Sequence, residues 1–292
     1  MNQNFKRDDC VFIHGILPRS GTNFLRDILL FHKDLTDCPD KVWEFPHLRF
    51  AGKIVEYEKI MASSKNLPGI EEGTLLPLFG NALIDYLTVD LPKDKRLVIK
   101  EPSVENISLV YKFFPKSYVI ILVRDGRDIS ASSMRTNFAK PPKFIFSRPS
   151  TYRYVFHGHP LKTLSRGWHE ASNTIIEFTE NIKKSEFEKR CIVVKFEDLV
   201  QGIKNESKSI FQKIFHSIGC DDGYCDWNGL FNIKVRGSSF VGITKDGTLN
   251  WSESQIKTAE FNPIGRWKFW TKKEINIYET IAGDSLRYWG YK

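Results

Sequence analysis

Apolar residues recur along this chain at two different periods. The runs at 11–17, 96–100, 118–123 and 191–196 are short and rich in Val and Ile, the composition of buried strands. The run at 118–123 is apolar throughout, as a central parallel strand covered on both faces requires. The first run is broken by Pro18 and Gly21, and beyond them Phe24, Leu25, Ile28 and Leu29 share one helical face, so strand, loop and helix follow in order. The strongest helical stripe is Leu161, Leu164, Trp168, Ala171, Ile175, Phe178 and Ile182, spaced by threes and fours; it predicts core packing and no chemistry. Ile210, Phe211, Ile214, Phe215 and Ile218 predict another helix, and 275–286 a C-terminal one. This alternation predicts an α/β fold, a parallel sheet with helices on both faces. Residues 137–160, with Pro141, Pro142, Pro149 and Pro160 among many aromatics, and 231–265, with several glycines, predict long loops acting as lids or binding loops.

The chain of 292 residues is 41% hydrophobic and holds only 13 Pro and 19 Gly, which excludes disordered and collagenous classes. At this length folding buries roughly 75% of the unfolded surface, so one large domain over 1–292 is expected, with two small ones as the alternative. The longest apolar run is far short of the ~20 residues of a membrane-spanning helix. Residues 1–9 are polar and carry no apolar signal core, and five cysteines form no even framework; both lead to the expectation of a cytoplasmic protein. Cys220 and Cys225 lack the second pair of a zinc site, and His157 and His159 read as loop histidines, so no metal is expected. The net charge of +8 points to an anionic partner without naming it, and no Lys/Arg block of a nucleic-acid arm is present.

Chemistry concentrates where strands end. Pro18, Arg19, Ser20, Gly21, Thr22 and Asn23 lie between the first strand and the first helix. Gly21 permits a tight turn, successive N–H groups at a helix start point at an anion, and Arg19 adds a permanent cation. The segment reads as a phosphate cradle, against the alternative of a polar turn capping a helix. It is not a nucleoside-triphosphate loop, because Gly15 is one residue too far from Gly21 and no Lys precedes Thr22. The third strand runs into Arg124, with Ser132 eight residues on, at the carboxyl end of a parallel strand, where doubly wound folds bind ligands. Two anion sites at adjacent strand ends favour one ligand with two phosphate groups, against the alternative of surface ion pairs between Arg124 and Asp125 or Asp128.

With these residues in place, the sequence resembles the sulfotransferase superfamily that uses 3′-phosphoadenosine 5′-phosphosulfate (PAPS). The matching positions are Pro18 to Thr22 after the first strand, the Arg124–Ser132 spacing, and Phe196, Glu197, Asp198 and Leu199 ending a further strand. The resemblance implies a P-loop-NTPase-like three-layer fold. It assigns Arg19, Ser20, Gly21, Thr22 and Asn23 to the 5′-phosphosulfate, and Arg124 and Ser132 to the 3′-phosphate. Arg19, and Lys100-Glu101-Pro102, place the chain nearer the bacterial, carbohydrate and tyrosylprotein-type branch than the small-molecule cytosolic branch, whose histidine base is replaced here by Pro102. The resemblance also makes Arg266 a nucleotide candidate and Ser239 a weaker active-site one. Phe196 to Leu199 reads as a strand end and loop start, and Trp267 as packing.

The activity so implied is metal-free sulfonate transfer from PAPS to a hydroxyl, with a carbohydrate or small-molecule alcohol as acceptor. Arg19 and Lys100 would stabilise the leaving oxygen, and a base is needed for the acceptor proton. Glu44, beside Trp43 and Phe45, is the candidate, its pKa expected to rise by desolvation; His47 and Glu101 compete. An ATP-dependent kinase-like enzyme and a non-catalytic anion- or RNA-binding protein are the alternative functions. No nucleic-acid partner and no membrane span are expected, and no motif indicates an oligomeric state.

Overall fold

The computed structural model describes residues 9–38, 44–63, 71–138, 160–234, 239–243, 249–252 and 262–292. Four of its strands are those the apolar runs predict: β1 (Val11–Gly15), β3 (Arg96–Glu101), β4 (Tyr118–Val123) and β5 (Cys191–Lys195). A fifth, β2 (Leu35–Asp37), went unpredicted because three residues, two of them polar, carry no period. The sheet runs β2-β3-β1-β4-β5, all parallel, with Ile13 level with Lys100 and His14 level with Glu101. β1 sits in the middle, with β3 and β4 on either side, so the chain reverses its direction of winding there. A crevice at such a switch, at the carboxyl ends of the strands, is where open α/β sheets bind ligands.

The pleat sends alternate residues to two separate cores. Val11, Ile13, Val98, Ile120 and Leu122 face α1 (Thr22–Leu29), α7 (Phe196–Lys204) and α8 (Ser209–Ser217). Phe12, Ile16, Ile99, Ile121 and Val123 face α2 (Ala51–Ser63), α3 (Leu75–Thr88), α4 (Val110–Phe113), α6 (Pro160–Ile182) and α10 (Lys272–Tyr288). The stripe predicted on α6 is buried against α10, as the spacing requires. The helix α2 was not predicted, because its apolar face is broken; α3 was missed although Leu76, Gly80, Ile84 and Leu87 recur at helical spacing. α2 buries only Ala51 and Glu58, and Glu58 is used to cap α3, accepting from the Leu75 and Leu76 amides at 2.7 and 3.2 Å. Pro77 lies in that first turn of α3, where its missing N–H costs nothing. α10 opens on a reciprocal cap between Thr271 and Glu274.

α5 (Gly126–Phe138) follows β4 almost at once, α9 (Trp227–Phe231) closes the α8 face, and β6 (Ser239–Ile243) pairs antiparallel with β7 (Leu249–Ser252). Two expectations need correction. Phe196 to Leu199 begins the helix α7 and is not a loop, and part of 231–265 is this hairpin. The expected lid at 137–160 falls almost wholly outside the described residues. Among the described residues no helix is long and apolar enough to cross a membrane.

Candidate functional site

The loop after β1 is shaped by two left-handed residues, Arg19 (φ 81°) and Gly21 (φ 101°). At Gly21 a side chain is excluded twice over, because a Cβ would also stand 2.4 Å from the Phe196 ring. A Cβ on Gly15 would meet Ser20 Oγ at 2.2 Å, so the loop folds back directly over the strand it leaves. α1 then starts with no side chain capping its N-terminus and no acid in its first turn. Its first amide groups therefore remain a favourable place for an anion. Two buried polar atoms here have no hydrogen-bond partner: Ser20 Oγ and Asn23 Oδ1. Buried polar groups are normally satisfied, and the Ser20 hydroxyl can donate to an anion seated in this loop, whereas the Asn23 amide oxygen only accepts.

The two strand-end cations take different partners. Arg19 Nε donates to Ser132 Oγ at 3.1 Å, bringing together residues 113 positions apart. Arg124 is 6% exposed and stacks on Phe196 at 4.4 Å. Its Nη1 donates to the Arg19 carbonyl at 2.8 Å and its Nη2 to the Pro263 carbonyl at 2.5 Å, so Arg124 braces the first loop against the 262–265 turn. Its Nε has no hydrogen-bond partner. Burial lowers the Arg124 pKa, opposed by the carboxylates of Asp128, Glu197 and Asp125.

Those carboxylates do not form the surface ion pairs considered for Arg124. Asp125 is clamped by Arg127, whose Nε and Nη2 approach its two oxygens at 3.0 and 2.9 Å, while Arg127 lies over Trp267 at 3.8 Å. Asp128 accepts from the Gly265 and Arg266 amides at 2.9 and 2.6 Å, which fixes Arg266 beside α5. Glu197 accepts from the Asp125 amide at 3.0 Å and the Tyr291 hydroxyl at 2.9 Å. Glu197 therefore holds the strand end in place. Burial raises the pKa of both Asp128 and Glu197. Asp128 was considered only as an ion-pair partner of Arg124, and Tyr291 carried no recognisable signal, since each acts on a distant segment.

At the end of β3, neighbouring residues serve opposite faces. Lys100 is 3% exposed on the α1 side, and its Nζ lies 3.4 Å from Glu44 Oε1. Burial lowers the Lys100 pKa, and Glu44 opposes that. The Glu44 side chain itself is 41% exposed, so it is not enclosed as expected; Trp43 lies outside the described residues. Glu101 and His47 are buried on the other face of the sheet, together with His14. His47 Nδ1 faces the Phe45 carbonyl at 2.9 Å and its Nε2 faces His14 Nε2 at 3.2 Å, while His14 Nδ1 faces the Ser103 carbonyl at 2.9 Å. Burial lowers the pKa of His14 to about 4 and that of His47 well below its ordinary value, and raises that of Glu101 to about 7. Of the three base candidates, Glu44 alone is exposed at the mouth beside Lys100. His14 was missed in the sequence because a histidine inside an apolar strand gives no sign of what packs against it. Ser239 begins β6, and its side chain lies outside the described residues, as do His157 and His159.

The sulfotransferase domain from the curacin biosynthetic pathway is similar over 97% of this chain and 98% of its own, at 16% identity and a TM-score of 0.51. Mouse sulfotransferase SULT7A1 complexed with PAP shares 15% identity, with 97% and 85% of the two chains covered and a TM-score of 0.48. Retinol dehydratase in complex with retinol and PAP shares 16% identity, with 98% and 83% covered and a TM-score of 0.48. At such identities a likeness bears on the fold alone. No curated protein sequence gives a significant match. The sulfotransferase family model matches residues 10–215, which takes in β1 to most of α8 and every strand of the parallel sheet, and the chain belongs to the sulfotransferase family.

Proposed function

We propose that this chain, acting as a single domain, transfers the sulfonate of PAPS to a hydroxyl of a carbohydrate or small-molecule alcohol. The observation that carries the donor is the loop after β1, where the Ser20 hydroxyl is buried without a partner beside an uncapped helix start. Arg19, Ser20, Gly21, Thr22 and Asn23 hold the 5′-phosphosulfate. Ser132 and Arg124 take the 3′-phosphate, Arg124 through its unpaired Nε while its terminal nitrogens keep the loop in place. Arg266, fixed by Asp128, approaches the same end of the nucleotide, and Ser239 is a further candidate on the acceptor side.

The reaction is an in-line displacement. The acceptor oxygen bonds to sulfur, the bond from sulfur to the bridging phosphate oxygen breaks, and adenosine 3′,5′-bisphosphate leaves with the electron pair. Lys100 and Arg19 stabilise the charge growing on that oxygen, and positioning supplies much of the rest. Glu44 accepts the acceptor's proton. Its exposure beside Lys100 supports the assignment, as does the burial of His47 and Glu101 on the far side of the sheet.

Adenosine 3′,5′-bisphosphate at about 100 times its Kd should stabilise the folded protein by ~2.7 kcal/mol in thermal unfolding, and ATP–Mg²⁺ at equal concentration much less. Equal shifts would transfer the assignment to a kinase-like enzyme. Arg124→Ala and Ser132→Ala should weaken PAPS binding more than binding of adenosine 5′-phosphosulfate, which lacks the 3′-phosphate. Equal losses for both ligands would remove the 3′-phosphate assignment.

A further inference from the structure

α2 and α3 pack against each other over one face of the sheet, and their outer side is apolar. α2 spans 13 residues yet buries only Ala51 and Glu58. A helix of that length is marginal in water unless tertiary contacts cover it, and the Glu58 carboxylate is engaged in capping α3. Most of the large apolar side chains exposed among the described residues lie on these two helices: Tyr57 and Ile60 on α2, and Leu78, Phe79, Tyr86 and Val89 on α3 or directly after it. Leu78, Ala82, Tyr86 and Val89 follow one another at steps of four, four and three, so they share one face, and Ala82 is exposed as well. Phe79 leads from that face to α2, where its ring meets Tyr57 edge-on with centroids 6.5 Å apart. The patch is continuous across both helices.

Ile60, Leu78, Tyr86 and Val89 are 61%, 62%, 69% and 67% exposed. With Tyr57 and Phe79 the patch amounts to roughly 700 Å², above the ~300–600 Å² of the largest patch on an ordinary monomer. It is close to the ~800 Å² that each partner contributes to a stable interface. The charges on the two helices select the partner. Residues 75–90 carry Asp85 and Asp90 and no Lys or Arg, whereas α2 exposes Lys53 and Lys59 against one carboxylate, Glu56. A surface acidic on one helix and basic on the other complements itself across a two-fold axis, because α2 of each copy then faces α3 of the other. An anionic membrane or a nucleic acid would instead need an excess of basic residues, which these helices lack.

We propose that the α2–α3 face is the two-fold interface of a homodimer. The apolar patch lies at its centre, and Lys53 and Lys59 of one protomer stand opposite Asp85 and Asp90 of its partner. The proposal goes beyond the sulfonate-transfer reading and does not depend on it.

Sedimentation equilibrium of the full-length protein should give twice the mass of one chain, and a protein monomeric throughout the micromolar range would overturn the proposal. Tyr86→Lys puts a charge into the patch, twice over in a two-fold interface. It should raise the dimer Kd by ~100-fold or more while the circular dichroism spectrum stays that of the wild type. An unchanged Kd would place the interface elsewhere and overturn the assignment. The charge pattern has its own test. Lys53→Glu with Lys59→Glu, and Asp85→Lys with Asp90→Lys, should each self-associate more weakly than the wild type. Mixed in equal amounts, the two double variants should form a heterodimer tighter than either homodimer, and failure of the mixture to do so would overturn the two-fold arrangement. A monomeric wild type that co-sediments with phosphatidylcholine vesicles, and loses this with Tyr86→Lys, would assign the face to a lipid surface and also overturn the dimer.

Discussion

At the residue scale, the main decision concerns which carboxylate or imidazole takes the acceptor's proton. Lys100 and Glu101 are adjacent in sequence but project to opposite faces of β3, and the pleat alone gives them different tasks. Lys100 meets Glu44 at the mouth, while Glu101 meets His47 behind the sheet. Glu44→Gln should therefore lower kcat by ~10²–10⁴-fold. Affinity for adenosine 3′,5′-bisphosphate should stay unchanged, because the proposed nucleotide contacts are made by other residues. Retention of more than about a tenth of the wild-type kcat would exclude Glu44 as the base.

At the scale of elements, the strand–loop–helix unit from β1 to α1 depends on the absence of a side chain at one position. Gly21 combines a left-handed backbone with a contact that leaves no space for a Cβ against Phe196. Gly21→Ala should cost ~1–3 kcal/mol from the backbone alone, read as a lower urea midpoint, and should also impair nucleotide binding. Gly167 is the counterpart. It lies within α6, and a Cβ there would meet nothing within 4 Å. Gly167→Ala should accordingly stabilise the protein by ~0.5–1 kcal/mol through helix propensity. The β1–α1 unit was legible in the sequence because a β-branched run, a glycine turn and a helical stripe are all local. β2 and α2 were not, since a three-residue strand and a helix burying only Ala51 and Glu58 take their form from neighbours.

At the scale of the whole molecule, the last residues close the structure around the site. Trp289 Nε1 donates to Ser172 Oγ at 2.7 Å, Lys195 Nζ to the Trp289 carbonyl, and Arg127 Nη2 to the Lys292 carbonyl at 2.8 Å. The Tyr291 hydroxyl donates to Glu197, which in turn holds the amide of Asp125 at the end of β4. Tyr291→Phe leaves a half-buried carboxylate oxygen without its donor, at a cost of ~1 kcal/mol. That corresponds to a fall of ~2–4 °C in Tm for a large domain. Nucleotide affinity should hold if Tyr291 acts only through packing, and calorimetric titration with adenosine 3′,5′-bisphosphate checks this.

The sequence by itself determined the α/β architecture, four strands of the parallel sheet, the long α6 helix and the strand–loop–helix unit from β1 to α1. Each of these is written in the period, turn residues and short spacing of contiguous positions. Only the tertiary structure decided which side chains meet. Arg19 with Ser132, Lys100 with Glu44, Asp128 with the Gly265 and Arg266 amides, and His14 with His47 are contacts between segments 33 to 138 residues apart. Nothing in a local pattern encodes them, because they follow from strand register and from which loop packs over each face once the sheet has formed.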